Sequence, residues 1–588
     1  MFEQVLDPVS DSLGLSALCA TLPLITLFVL LGALKVKAWI AGLVSLLVAM
    51  LVAVILYSMP VDQVVLSATE GAAFGFFPIL WIVINAIWVY NLTVETGHFD
   101  VLRRSFEKVS PDQRIQAIII AFCFGALLEA LAGFGTPVAI SVVMLMALGF
   151  APLKAAVVAL IANTAPVAFG ALATPIITLA TVTSGVNDDP GLTTENLGAM
   201  VGRQTPILAV FVPLLLVFVV DGKRGLRQTW IPALVSGIAF AVAQFIAANY
   251  ISVPLTDIIA ALVSAAAVVA LLRVWSPVES PDLARHDRAM VGGGSAGVTA
   301  NEELGGRPGE QDARDDHAPA TGRRGGGGAG GSDGPVRDSG SEVFKAYAPY
   351  LIIIVIFSVF SLGPVKEFFA GKPWTYLVAW PGLDVFGPGA STELSSTNYN
   401  FNWFASAGTL MIFAGILTML VLKISPARGL KAYGRTYVEL KWAIVTVMAV
   451  LALAYVMNQS GQTTTLGAWL AQTGSFFTFL SPILGWIGVA VTGSDTSANA
   501  LFGALQVETA ARAGLDPVLL AAANTSGGVL GKMVSPQNLA IAAAAVGMAG
   551  KEGEIFRKVF GWSLLLLLFM CLLVVLQSSD VLAWMIPG

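Results

Sequence analysis

Three charged residues stand in sequence that is otherwise apolar. Glu129 lies in "FCFGALLEALAGFGTP" (122–137), Asp495 in "AVTGSDTSAN" (490–499) and Lys532 in "ANTSGGVLGKMVSP" (523–536). A charge at mid-bilayer costs about 2.5–3.5 kcal/mol on insertion scales, so intramembrane ionisable groups default to function. Lys532 can anchor a carboxylate; its alternative is a structural ion pair with a carboxylate such as Asp495. Glu129 can bind and release a proton; its alternative is a protonated carboxyl bonding neighbouring helices. Asp495 can carry a proton, pair with Lys532 or cap the helix that follows, capping being the leading single expectation. Asn163, Thr164, Asn524 and Thr525 suit a hydroxyl or carboxylate ligand, or else bond between helices. At the first break, Gly133, Gly135 and Thr136 offer opened backbone and a hydroxyl to the same ligand. Arg203 in "VGRQTP" sits at a membrane edge, where an arginine ordinarily snorkels.

These groups need elements to hold them, and composition says which. Of 588 residues 56% are hydrophobic and 12% charged. Soluble domains carry about 25% charged residues, so the expectation is an all-α polytopic membrane protein. Apolar runs near the roughly 20 residues that span a bilayer recur at 15–34, 38–57, 71–92, 205–220, 230–250, 257–275, 345–365, 403–422, 441–457 and 559–577. Two further regions, 115–183 and 476–547, are apolar but interrupted by Gly, Pro, Asn and charge.

The interruptions come in pairs. "ANTAPVAFGALATP" (162–175) matches "ANTSGGVLGKMVSP" at a constant offset of 361, in Ala, Asn, Thr, Gly (Gly170, Gly531) and Pro, with Thr174 opposite Ser535. Upstream, Gly133 and Thr136 align with Gly493 and Thr496 at offset 360. Loops rich in Lys and Arg (35–37, 102–114, 221–227, 422–435) should be cytoplasmic; 58–67, 184–203, 251–256 and 458–475 should lie outside, with the N-terminus. The first copy (within 66–204) then starts inside and the second (within 441–558) outside. Two inverted-topology repeats with broken or re-entrant helices at matching positions point to a secondary transporter's binding site. Irregular backbone at membrane depth is tolerated only inside protein or lining a cavity.

The halves, 1–275 and 345–588, are joined by 276–344. This stretch contains "TGRRGGGGAGGSDGPVRDSGS" and reads as a disordered cytoplasmic linker. Other classes find little support. His98, His286 and His317 are the only histidines, and Cys19, Cys123 and Cys571 are far apart, so neither a metal site nor a disulfide framework is expected. "GGVLGKM" fails as a P-loop, with Ser526 and Met533 at key positions, the HExxH motif is absent, and GxSxG occurs only inside the glycine-rich stretch 276–344 (293–297 and 330–334), away from any strand-turn-helix. The expected partners are a small carboxylate, protons and lipid, with no cofactor and no nucleic acid. The N-terminus lacks a basic n-region and reads as an extramembrane start rather than a cleaved signal.

At these residues the chain resembles the lactate permease family. The likeness runs through "FCFGALLEALAGFGTPVAI", "IANTAPVAFGA", "MVGRQTP", "SPILGWIGVAVTGSDTSANALFGALQ", "AANTSGGVLGKMVSPQNLAIAAAAVG" and the C-terminal "WMIP". It implies proton-coupled uptake of lactate, and often glycolate or related 2-hydroxy monocarboxylates, across a bacterial or archaeal plasma membrane. Sodium coupling is the closest rival, and an anion channel a more distant one. The family more usually has Gly where Ala130 and Ala173 stand here.

Overall fold

The computed structural model describes residues 1–276 and 338–587, apart from 108, 134, 185, 187–188 and 389–392. Ten helices among them are long and apolar enough to cross a membrane, and the protein is an all-α polytopic membrane protein. Outward-facing side chains such as Leu47, Ile55, Leu565 and Leu568 are half exposed or more, as expected of a lipid face. The linker expectation falls almost wholly on 277–337, outside the described residues. Of its described residues, Asp338 is held by Arg104 through two hydrogen bonds of 2.6 and 3.1 Å, and 340–344, expected in the linker, already belong to the helix Gly340–Phe360 capped by Ser339.

Helix edges differ from the hydropathy reading where polar residues are buried. The stretch 61–67, read as outer loop, is already helix: Val61–Phe74 carries Gln63, Ser67 and Glu70 inward. The stretch 458–475 contains a helix, Gln462–Leu470, whose first six residues are buried. Its polar side chains are satisfied locally: Gln462 donates to the Ala49 carbonyl, and Thr465 accepts from the Tyr57 hydroxyl. Among the described residues of 363–402 are a short helix, Gly363–Ala370, and a small antiparallel pair, Thr375–Ala379 with Asn398–Asn402. A second two-residue strand there pairs with Phe2–Glu3.

The part that positions the charged residues has nine elements. They are α1 (Gln113–Leu131), α2 (Thr136–Ala147), α3 (Pro152–Ala162), α4 (Gly170–Thr183), α5 (Thr256–Leu271), α6 (Phe477–Thr492), α7 (Asp495–Ala513), α8 (Pro517–Gly531) and α9 (Pro536–Ala545). The order helix–break–helix–turn–helix–break–helix occurs twice, in α1–α4 and α6–α9. The α3–α4 pair bends by 64° at its break. Glycine lets α6 and α8 meet backbone to backbone: a Cβ on Gly485 or Gly527 would collide with the main chain of Asn524 or Pro482. Small residues at such a crossing are the usual means of close helix contact in membranes.

Candidate functional site

Proline creates the opening at both second breaks. Pro536 has no N–H to give the carbonyl of Lys532, four residues back. That carbonyl is met instead by the Ser535 hydroxyl at 3.0 Å and Asn538 Nδ2 at 3.2 Å. In the first copy Pro175 frees the carbonyl of Ala171, and the Thr174 hydroxyl takes it at 2.5 Å. Thr174 and Ser535, opposite each other at offset 361, therefore do the same work. The backbones differ. Lys532–Val534 is a short 3-10 turn, whereas Ala171, Leu172 and Ala173 form a left-handed turn with φ of +44°, +56° and +58°.

The first breaks are opened by glycine at positive φ. Gly133 (+46°) and Gly135 (+84°) precede α2, and Gly493 (+74°) precedes α7. All four breaks border one cavity of about 50 Å³, room for roughly four waters at ~10–15 Å³ each. Glu129, Gly133, Asp495 and Lys532 line it, together with Gly170, Thr174, Ser494, Thr496, Gln537 and Asn538.

Its central contact is an ion pair. Lys532 Nζ lies 2.6 Å from Glu129 Oε1, with both residues buried. Asn163 Nδ2 donates to Glu129 Oε2 at 2.9 Å. The carboxylate is thus held from two sides, by the second copy's lysine and the first copy's asparagine. Gly170 makes space for it, since a Cβ there would sit 2.8 Å from Glu129 Oε1. Asp495 is the contrast. It lines the same cavity, is 3% exposed, and neither carboxyl oxygen has a hydrogen-bond partner among the described residues.

Several expectations change here. Lys532 pairs with Glu129 rather than Asp495. Asp495 does not cap α7: Ser494 does, accepting from the Ser497 N–H, and Asp495 is the first helical residue. Asn524 and Thr525 are not at a break. Helix α8 runs unbroken through them to Gly531, and both donate to Asn499 Oδ1, at 2.9 and 3.0 Å. They bond between helices, away from the cavity. Thr164 turns back to the Ile161 carbonyl at 2.7 Å. Gly135 packs against Ile541 of α9, and half-buried Thr136 starts α2; neither lines the cavity. Arg203 bonds to Asn249 and to the Met585 carbonyl, which ties down the C-terminal "WMIP".

Sequence reasoning missed Thr174, Ser494, Thr496, Gln537 and Asn538. The signal was present, since each lies inside or beside a matched Gly/Pro block. It also passed over two buried carboxylates, Glu70 and Asp257, both fully buried. Each stands at the edge of an apolar run, where hydropathy alone reads an interfacial residue.

The sequence profile of the L-lactate permease family matches residues 16–580. An L-lactate permease of Bacillus subtilis (strain 168) is 41% identical, with 99% of each chain covered. The glycolate permease GlcA of Escherichia coli (strain K12) is 40% identical over 96% of each chain, and that organism's L-lactate permease is 38% identical over the full length of both. With its broken-helix cavity, its membrane-spanning helices and this likeness along nearly its whole length, the chain belongs to the L-lactate permease family, whose members are permeases and not enzymes.

Proposed function

We propose that this protein imports lactate, and glycolate or related 2-hydroxy monocarboxylates, by proton symport across the plasma membrane. The observation that carries the reading is the 2.6 Å pair between Lys532 and Glu129 inside the cavity. While Glu129 is ionised, Lys532 is engaged and an incoming carboxylate meets Glu129 and Asp495 instead. Protonation of Glu129 cancels its charge and frees the ammonium for the substrate carboxylate. The site holds the same net charge before loading (Glu129⁻, Lys532⁺) and after it (Glu129 neutral, Lys532⁺, substrate⁻). The loaded carrier therefore pays no added desolvation penalty for charge, which is otherwise large in a low-dielectric interior. Asp495, with Ser494 and Thr496 beside it, is placed to meet the substrate hydroxyl and is the second candidate proton carrier.

The relatives' names support the substrate class: both L-lactate and glycolate permeases are about 40% identical to this chain. The inverted-repeat reading is supported by the twofold element order and by the shared role of Thr174 and Ser535. Sidedness, with the N-terminus outside and the linker cytoplasmic, is supported by how loops group. Arg114 of one basic loop bonds Asp221 of another, and Arg435 of a third bonds Glu95. Gln63 of a loop poor in Lys and Arg bonds Gly382, and Gln4 bonds Asn458.

The test is uptake of labelled lactate into proteoliposomes under an imposed pH gradient, with and without sodium. Wild type should concentrate lactate with the proton gradient alone, electroneutrally. Glu129→Gln should retain lactate exchange but lose uphill uptake. Affinity should fall as pH rises in wild type, because ionised Glu129 reclaims Lys532, and this pH dependence should vanish in Glu129→Gln. A Glu129→Gln carrier that still concentrates lactate with the pH gradient rules out the proton assignment.

A further inference from the structure

Asp257 is the second residue of α5, directly after the 253–255 turn, and it is fully buried. No backbone N–H donates to it, and the start of α5 has no side-chain cap, so it caps none of the open N–H groups of its own helix. Gln244 Nε2 donates to its Oδ1 at 3.0 Å, and Oδ2 has no partner among the described residues. The same Gln244 nitrogen lies 3.4 Å from the Ala165 carbonyl, in the break between α3 and α4. Two residues earlier in that break, Asn163 holds Glu129, while its own Oδ1 is unpartnered. Helix α5 packs on α1, which carries Glu129, and on α4, which has no titratable side chain. The 205–246 helix presents Thr205 and Gln244 to the site.

A carboxyl buried in a membrane helix, with no cation beside it among the described residues, is costly to keep as a structural part. It stands directly after the 251–256 loop and is joined through Gln244 to the α3–α4 break, whose Asn163 holds Glu129. We propose that Asp257 is the proton-relay residue between the solvent at the 251–256 end and Glu129. The O–H bond on the Asp257 carboxyl breaks, and its proton passes through water to the Glu129 carboxylate, where a new O–H bond forms. Asp257, left as carboxylate, is reprotonated from the solvent side. Gln244 and Asn163 hold the two carboxyls in place without carrying the proton. This rests on the proton-symport reading above and adds to it the route by which Glu129 is charged.

The experiment compares wild type, Asp257→Asn, Asp257→Glu and Gln244→Met in proteoliposomes with labelled lactate. Asp257→Asn should lower kcat of pH-gradient-driven uptake by about a hundredfold or more, the lower end of what a positioned proton-transfer group contributes. KM should stay within about twofold, and lactate counterflow at equal pH should be slowed far less. Asp257→Glu should restore most of the rate. Gln244→Met leaves every charge in place and should slow driven uptake severalfold, which keeps the test open if Asp257→Asn folds poorly. Driven uptake at the wild-type rate in folded Asp257→Asn or Gln244→Met overturns the relay. So does an equal loss of counterflow and driven uptake, which marks a packing role. Failure of the wild type itself to respond to a pH gradient overturns the symport reading, and is recorded in a separate arm.

Discussion

Lys532 and Glu129 each satisfy the other's charge in the structure, and in the proposed symport that mutual engagement is what would make a proton and an anion depend on one another. Truncating either exposes the dependence differently. Lys532→Ala removes the proposed cationic partner of the substrate, and a hydrogen bond to a charged group is worth about 1.5–3 kcal/mol. Lactate binding should therefore weaken by roughly 10–100-fold, measured by isothermal titration on protein whose melting temperature is checked in parallel. Wild-type affinity in a folded Lys532→Ala protein removes the lysine from the site. Gly170→Ala is a steric test without a charge change. Gly170 has φ of −62°, so alanine is tolerated by the backbone, but its Cβ would crowd Glu129 Oε1 at 2.8 Å. Driven uptake should drop about tenfold or more by misplacing the carboxylate; unchanged uptake shows that Glu129 has freedom the cavity does not suggest. Residue types were readable in sequence: charge inside apolar segments marks both members of the pair. Their pairing was not, because Glu129 and Lys532 are 403 residues apart, and chemistry alone favoured the nearer Asp495.

At the scale of elements, the two second breaks share their proline and hydroxyl but not their backbone. Three successive non-glycine residues in the left-handed region cost roughly 1–2 kcal/mol each. The turn at Ala171–Ala173 persists because its neighbours hold it, Leu172 being fully buried and Ala171's carbonyl taken by Thr174. The resemblance to a family that more usually has Gly at position 173 gains a physical reason: φ there is +58°. Ala173→Gly should raise stability by about 0.5–1 kcal/mol, read as a higher melting temperature in detergent. A lower one means the buried Cβ contributes more by packing than it costs in strain. Nothing in the structure calls for glycine at Ala130, which is helical and buried. Glycine also misled the sequence reading in α8. Gly527, Gly528 and Gly531 look like helix breakers, yet α8 continues through them. Their missing side chains admit Pro482, Asp495 and Trp486 of the neighbouring elements, a tertiary demand with no local signature.

For the whole molecule, sidedness and the route between sides can be tested together. Asp62 and Lys431 are both exposed and belong to loops assigned to opposite faces. On a background without Cys19, Cys123 and Cys571, a membrane-impermeant thiol reagent applied to intact cells should label Asp62→Cys and spare Lys431→Cys. The reverse pattern inverts the proposed orientation. The sequence by itself determined the fold class, the family, the presence of four matched breaks and the identity of Glu129, Asp495 and Lys532 as the groups to watch. Those follow from local physics: the length and apolarity of a span, the missing N–H of proline, the positive φ that glycine permits, and the cost of charge in hydrocarbon. Only the tertiary structure decided which groups meet. It brought Lys532 to Glu129, left Asp495 unpartnered in the same cavity, turned Asn524 and Thr525 away to Asn499, and buried Asp257 and Glu70 at what looked like membrane edges. The reason is that each of these outcomes depends on which helices face one another. Hydropathy and motif spacing describe each helix separately and carry no information about its neighbours.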